Sequence, residues 1–207
     1  GVGGGGGMLV YDMAKGSGTF IDYYDAAPRS FAVASGASCV PGLVRGMERA
    51  SQLFGTKDVG ALIQPSIDLA RNGFTVSEKL ATMISNYAQA VQDLPGYRVG
   101  SGLVGEGDTL VQELLAEALE ILRDGGSAAF YEGELAQEIR AATGFSEDDM
   151  TGYAAAVRDA VSGECLGCAV YSAPAPLAGT MLIDMLKMMD MRTAPAASAD
   201  AQGYLAA

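Results

Sequence analysis

The sequence predicts a helix-rich α+β fold. About seven segments repeat apolar residues at the spacing of an α-helix, whereas only two or three short runs have the composition of β-strands. The chain has 207 residues, 49% of them hydrophobic, which is enough to bury a substantial core. We therefore expect residues 1–207 to form a single domain.

The first predicted element is a β-hairpin from Met8 to Tyr24. Two apolar runs, MLVYDM and TFIDYY, are separated by AKGSG, whose small residues suit a tight turn. Six of the first seven residues are glycine and lead directly into the first run. By composition alone, such a run is typical either of a linker or of a backbone that packs closely against its neighbours.

Helical periodicity begins after Pro41. The first helix is expected to end at Gly55, and its apolar stripe consists of Leu43, Met47, Ala50 and Phe54. The second helix, DVGALIQPSIDLARNG, is expected to bend or break at Pro65 and to end at Gly73.

Side chains that cap helices mark the next segments. Asp108 is expected to cap the long amphipathic segment GDTLVQELLAEALEILRDGG, which its final glycine pair ends. GELAQEIRAATG is a shorter helix, and Ser146 with Asp149 forms a capping box at the start of SEDDMTGYAAAVRDAV. Ser77 is the predicted N-cap of a helix with one stripe, formed by Leu80, Met83, Ile84, Tyr87 and Val91.

The last predicted elements are a strand, GCAVYS, and a helix, TMLIDMLKMMDM. The methionines of this helix follow helical spacing, so we expect them to fill a core. The predicted strands are too few to cover the apolar face of the opening hairpin. We therefore expect its sheet to be completed by sequence upstream or downstream of this chain, or by another chain.

Charge and composition exclude several classes of function. The net charge of -12, from 13 basic and 25 acidic residues, argues against nucleic acid and anionic membranes as partners. No run of about 18 apolar residues predicts a membrane span. The chain has no His, so a Ser/His/Asp or Cys/His mechanism cannot be completed by these residues alone. We expect no metal site and no cofactor.

The cysteine pair in CLGC allows three interpretations. Cys165 and Cys168 can be small buried residues of a strand, can form a disulfide, or can act as a reactive dithiol. Burial in a strand is favoured because free cysteine is among the most buried residue types. A reactive dithiol is the least favoured, since no basic residue lies nearby in the sequence to lower a thiol pKa.

Several segments in series resemble the large subunit of the γ-glutamyltranspeptidase family, a branch of the N-terminal-nucleophile hydrolases. They are GGGGGMLVYD, GTFIDYYDAAPRSF, GASCVPGLVRGMERASQLFG, LIQPSIDLARNGFTVSEKLA, GEGDTLVQELLAEALEILRDGG and VYSAPAPLAGTMLIDMLKMMD. The resemblance implies a fragment of that subunit with the helix-rich portion of an αββα sandwich. It also implies that the glycine run is an interior loop packed near the acyl site.

The resemblance further implies how a chain without His belongs to an enzyme. In the family a precursor cuts itself, and the new N-terminal threonine of the small subunit is both the nucleophile and, through its α-amino group, the base. That threonine is not among these residues, so no catalytic residue is expected in this chain, and the chain alone is expected to be inactive. The implied partners are the small subunit and a small γ-glutamyl or related amide, and the implied location is periplasmic or extracellular.

Tyr24 stands where the family has an arginine that binds the α-carboxylate of the γ-glutamyl group. In IDYYDAAP, Asp25 matches the glutamate that follows this arginine, and Arg29 lies five residues beyond Tyr24 as a possible substitute cation. A guanidinium clamps a carboxylate with two charge-assisted bonds, whereas a tyrosine hydroxyl offers one neutral donor. The candidate substrate-binding residues are therefore Tyr24, Asp25 and Arg29.

These departures leave alternatives open. SAPAPLAGT matches the family's Pro-rich, Ser-Ser-Gly-Gly-like segment only in part and is expected to form a rigid turn into a helix. The protein can be a γ-glutamyltranspeptidase, or a relative that acts on another amide such as poly-γ-glutamate or the acyl group of a cephalosporin. It can also be a degenerate, non-catalytic member that acts as a scaffold.

Overall fold

The computed structural model describes residues 2–29 and 39–193. These residues fall into two compact units: unit 1 is Gly1–Ala26, Pro41–Arg49 and Ala154–Ala207, and unit 2 is Ala27–Val40 and Ala50–Tyr153. A compact unit is not necessarily a domain that folds on its own. The single domain predicted over residues 1–207 therefore remains a prediction.

Helices and short strands are interspersed along the described part of the chain, and helix predominates, as the sequence predicted. In chain order they are β1 (Gly6–Asp12), β2 (Ser17–Tyr23), α1 (Leu43–Phe54), α2 (Val59–Asn72), β3 (Phe74–Thr75), α3 (Glu78–Asn86), α4 (Ala88–Val91), β4 (Arg98–Val99), β5 (Gly102–Leu103), β6 (Thr109–Leu110), α5 (Glu113–Tyr131), α6 (Glu134–Thr143), α7 (Glu147–Thr151), β7 (Ala156–Asp159), β8 (Val161–Cys165), β9 (Cys168–Ser172) and α8 (Gly179–Thr193).

Unit 1 contains a three-stranded antiparallel sheet in the order β1-β2-β7. β1 and β2 pair along their whole length, which confirms the predicted hairpin. Its turn is held by Asp12, whose Oδ1 accepts hydrogen bonds from the backbone N–H groups of Ala14 and Lys15 at 2.9 and 3.2 Å. Phe20 and Ile21 of β2 are buried and contribute to the core of this unit.

β7 lies where the sequence predicted helix. Of the segment SEDDMTGYAAAVRDAV, only α7 is helical, and Ala156–Asp159 pairs with β2 instead. Pairing with an existing strand outweighs the local helix preference of alanine, because tertiary context overrides propensity. The predicted capping box is confirmed: the backbone N–H and Oγ of Ser146 donate to Asp149 Oδ2 at 2.9 and 2.7 Å.

The hairpin β8–β9 and helix α8 also belong to unit 1. The predicted strand GCAVYS is confirmed as β9, whereas β8 was not predicted. Gly163 of β8 lies against α8, where an added Cβ would stand 2.4 Å from Ile183. The expectation that the methionines of α8 fill a core is wrong for the four described ones that are half or more exposed, which are Met181, Met185, Met188 and Met189.

Unit 2 is centred on the packing of α2 against α5. Ile67 and Ala70 of α2 and Ala116 of α5 form a buried cluster, where the two alanines let the helices approach closely. α2 continues through Pro65, so the expected break is absent from this helix. It ends as predicted at Gly73, whose N–H donates to Leu69 O at 2.9 Å.

A second cluster of unit 2 involves α3 and α4. The Ser77 cap is confirmed by a 3.3 Å hydrogen bond from Leu80 N, but the helix divides at Tyr87. Met83 and Tyr87 are exposed, so only part of the predicted stripe is buried. The buried residues of the cluster are Val76, Ile84, Val104 and Leu110.

The start of α5 differs from the prediction, whereas the predicted stop at the glycine pair coincides with a break in the helix. Asp108 does not cap it; its Oδ2 accepts from Gly105 N at 2.9 Å, and the next two residues form β6. The helix starts at Glu113 instead. The predicted stop at the glycine pair corresponds to a break, since Gly126 has φ 61° and ψ -158° between two helical stretches.

Candidate functional site

Tyr24 and Asp25 follow β2 directly, so the sheet of unit 1 sets their position. The Tyr24 side chain is 52% exposed. Its backbone N–H donates to Asp22 Oδ1 at 3.2 Å, which ties the start of the segment to the end of β2. The Tyr24 ring is thus available to solvent while its backbone is held.

The glycine run packs against this segment. An added Cβ on Gly5 would lie 2.0 Å from Asp25 Oδ1 and 2.5 Å from Asp25 N, so any side chain would collide with the candidate site. The carbonyl of Gly4 accepts hydrogen bonds from Gly42 N and Leu43 N, at 3.1 and 2.9 Å, at the start of α1. The prediction that this run is packed structure is therefore confirmed.

Arg29 belongs to unit 2, whereas Tyr24 and Asp25 belong to unit 1. Its Nη2 donates to the carbonyl of Gly152 at 3.3 Å, and the side chain is exposed. Its role as a substitute for the missing arginine remains a prediction.

Sequence reasoning missed Arg158, which lies on β7 close to the candidate segment. It forms an ion pair with Asp22, and its other terminal nitrogen donates to the carbonyl of Ala175. The two side chains are only 32% and 19% exposed. The sequence contained one clue: Asp22 stands within the apolar run TFIDYY, and a carboxylate on a covered strand needs a partner. The partner, Arg158, could not be identified because its segment was expected to be helical.

The Pro-rich segment forms a turn directly before α8, as predicted. Leu177 N donates to Pro174 O at 3.1 Å. Gly179 begins the helix where an added Cβ would stand 2.0 Å from the carbonyl oxygen of Ala173, so this position requires glycine. The segment therefore forms a defined turn into α8.

The cysteines differ from the favoured interpretation. Both thiols are free; Cys165 is half-buried and donates to Leu186 O at 3.5 Å, whereas Cys168 is exposed. They face each other across the β8–β9 hairpin, with Leu166 and Gly167 between them at positive φ. The two residues are in strands, as expected, but they are not core residues.

Two groups of the opening hairpin have shifted pKa values. A hydrogen bond with Tyr171 raises the pKa of Tyr11, and hydrogen bonds from Lys15 lower the pKa of Asp12 in the hairpin turn.

Within residues 2–29 and 39–193, no group of three or more Cys, Asp or Glu is arranged to hold a metal ion. No helix in the same ranges combines the length and apolar character that crossing a bilayer requires.

An open depression of about 680 Å³ lies in unit 2. Its lining includes the carboxylates of Glu117, Glu120, Asp124 and Glu134. These like charges repel an anionic ligand, so the depression does not suit a carboxylate-bearing substrate.

Comparison with known proteins gives consistent matches. The family model for gamma-glutamyltranspeptidase matches residues 1–205. The capsule biosynthesis protein CapD proenzyme of Bacillus anthracis is 34% identical over 194 residues, which cover 93% of this chain and 36% of the relative. The glutathione hydrolase proenzyme of Escherichia coli (strain K12) is 30% identical over 236 residues, which cover 98% of this chain and 40% of the relative.

A solved structure shows the same fold. The crystal structure of the Bacillus anthracis transpeptidase enzyme CapD superposes with a TM-score of 0.84 at 34% identity, covering 93% of this chain and 67% of that one. The predicted α+β class is therefore confirmed as the fold of the N-terminal-nucleophile hydrolases. The chain spans two fifths or less of the length of these curated relatives. It belongs to the γ-glutamyltranspeptidase family and covers part of the large subunit.

Proposed function

We propose that the full-length protein cleaves or transfers a γ-glutamyl or related amide through an acyl-threonine intermediate. The nucleophile is the N-terminal threonine of a small subunit outside these residues, and the present chain supplies part of the acyl-binding site. The observation that carries this proposal is the placement of Tyr24 and Asp25 directly after β2, with Asp25 packed against the glycine run. No cofactor is needed, because the α-amino group of the threonine serves as the base.

Tyr24 bears on which amide the protein recognises as its substrate. The family arginine is absent at this position. Arg29, which follows Tyr24 in the sequence, and Arg158 of β7 both donate to protein groups. A single neutral hydroxyl holds an α-carboxylate less tightly than a guanidinium. This favours either weak recognition of γ-glutamyl groups, including those of poly-γ-glutamate, which keep their α-carboxylates, or a different amide such as a cephalosporin acyl group.

The intact mass of the complete gene product tests the mechanism. Self-cleavage is expected to give two fragments, the second beginning with threonine, and substitution of that threonine by alanine is expected to leave the precursor uncut. A product that stays uncut and turns over no amide would instead favour a degenerate, non-catalytic family member.

Two p-nitroanilides that differ only in the α-carboxylate test the substrate class. γ-Glutamyl p-nitroanilide carries this carboxylate and γ-aminobutyryl p-nitroanilide lacks it. Tyr24→Arg is expected to raise kcat/KM about tenfold for the first compound and not for the second, because a charged hydrogen bond is gained. Tyr24→Phe is the matched control and gains no cation. Unchanged kinetics for both compounds in Tyr24→Arg would show that this position does not line the acyl site.

A further inference from the structure

Arg158 connects the two segments in which this chain departs from the family pattern. Its Nη2 donates to Asp22, two residues before Tyr24, and its Nη1 donates to the carbonyl of Ala175 in the Pro-rich turn. Both segments and β7 belong to unit 1. One guanidinium therefore joins the end of β2 to the turn that precedes α8.

The network continues to the backbone of Tyr24. Asp22 uses Oδ2 for Arg158 and Oδ1 for the N–H of Tyr24, at 3.2 Å. Because both charged side chains are largely shielded from solvent, water competes with these bonds less than it does at an open surface. The orientation of the Asp22 carboxylate, and with it the backbone of the segment that follows, depends on Arg158.

We infer that Arg158 is a positioning residue for the acyl-binding site. Through Asp22 it fixes the Tyr24–Asp25 segment, and through Ala175 it fixes the turn before α8. Arg158 does not bind the substrate in this role, since both of its terminal nitrogens donate to protein groups. The inference rests on the proposed function, because it takes Tyr24 and Asp25 as substrate-binding residues.

The chemistry of the side chain explains why arginine is required. A guanidinium is a rigid fork whose two terminal nitrogens reach separate acceptors at once, whereas the ammonium of lysine is a compact charge on a flexible stem. Arg158→Lys is therefore expected to keep an ion pair with Asp22 while it loses the simultaneous bond to Ala175.

Hydrogen exchange in the full-length protein tests the structural half of the inference without any need for activity. In Arg158→Gln, peptides that contain Tyr24 and peptides that contain the turn at residues 173–178 are both expected to exchange faster, while peptides from α2 and α5 remain unchanged. Arg158→Lys is expected to affect the turn more than Tyr24. Arg71→Gln is the matched control, because it breaks the 2.7 Å ion pair with Glu120 in unit 2.

Kinetics test the functional half. For the amide that the wild type cleaves, Arg158→Gln and Asp22→Asn are each expected to raise KM about tenfold and to keep kcat within about twofold of the wild-type value. The displaced segment binds the substrate less tightly, whereas the groups that react are unchanged. The double variant is expected to show the KM of either single variant and not their product, because the two residues act as one unit. Arg71→Gln is expected to leave KM unchanged.

The outcomes separate the two proposals. Unchanged exchange at Tyr24 in Arg158→Gln, or unchanged KM in folded Arg158→Gln and Asp22→Asn, would overturn the positioning role while the proposed function stands. A multiplied effect in the double variant would overturn it as well. If the wild type cleaves no amide, the proposed function fails, and the acyl-site role of Arg158 fails with it. The exchange data would then describe only the structural network around Arg158. If Arg158→Gln does not fold, the isosteric Asp22→Asn and Arg158→Lys decide the question.

Discussion

Two glycine-rich stretches of this chain use glycine for opposite reasons. In the opening run, an added Cβ on Gly5 would lie 2.0 Å from Asp25, and one on Gly7 would lie 2.4 Å from the ring of Phe20. In the loop around residues 100–107, Gly100 and Gly107 have no atom within 4 Å of such a Cβ, but their φ angles are 59° and 84°.

Composition therefore does not reveal what glycine does in each stretch. In the first stretch the missing side chain of Gly5 and of Gly7 makes room for neighbouring atoms, and neither residue has a φ in the left-handed region. In the second, space is plentiful, and only the left-handed backbone conformation requires glycine. Substitution by alanine should therefore destabilise the two stretches by different mechanisms and different amounts.

The largest effect is expected for Gly5→Ala. The new methyl group would meet backbone atoms, Asp25 N at 2.5 Å and Tyr23 O at 2.7 Å, which cannot rotate away. We expect a loss of about 3 kcal/mol in the free energy of unfolding, at the upper end of overpacking costs. Urea unfolding of the full-length protein measures it. A loss below about 1 kcal/mol would mean that this segment shifts freely, against the contact-based explanation.

A smaller effect is expected for Gly7→Ala, because the atoms in the way belong to a side chain. The Phe20 ring stands 2.4 Å from the new Cβ but can adjust in part. We expect a loss of about 2 kcal/mol. Phe20→Leu should relieve the collision, so the double variant should be more stable than the sum of the two single losses predicts. Simple additivity in a double-mutant cycle would contradict direct contact between these residues.

Gly107→Ala tests the conformational explanation. No atom obstructs the methyl group, but φ of 84° is unfavourable for an L-residue, so we expect a loss of about 1 kcal/mol. Gly107→Asn should cost less, because asparagine tolerates the left-handed region better than alanine does. The two variants are compared by thermal unfolding, and equal losses would speak against a dihedral origin.

The smallest effect is expected for Gly3→Ala, within the opening run itself. Gly3 has no atom within 4 Å of an added Cβ and no φ in the left-handed region. We expect the free energy of unfolding to change by less than about 0.5 kcal/mol. Gly3 thus serves as the internal control for Gly5. A loss at Gly3 that matches the loss at Gly5 would show that the run responds as a whole and not position by position.

Features that depend on neighbouring residues in the chain were predictable from the sequence. Ser77, Ser146 and Gly73 end or begin helices through bonds that span only three or four residues, so each can be inferred from a short window. The opening hairpin is similar, because its turn is short and its strands are adjacent in sequence.

Features that depend on distant residues were not predictable. β7 forms a strand only because β2, more than a hundred residues earlier, offers it a partner. The pairing of Arg158 with Asp22 spans 136 residues, and no local pattern indicates it. The methionines of α8 show the same limit: helical spacing identifies the helix, but tertiary contacts decide which of its faces is covered. For the candidate site, the segment was located through family resemblance, whereas its supporting network required the fold.

A tract of identical residues looks free to gain or lose a member, but here its length is constrained. Gly4 is held by two amides at the start of α1, and Gly6 is paired opposite Tyr23, so one residue separates two fixed points. The short turn after Asp12 fixes the register of β1 against β2, so an extra glycine could not be absorbed by a slip of the strands. It would instead have to bulge or to break the contact between Gly4 and the start of α1. An insertion or deletion of a single glycine codon is therefore expected to detach the run from α1 and not merely to change the length of a spacer.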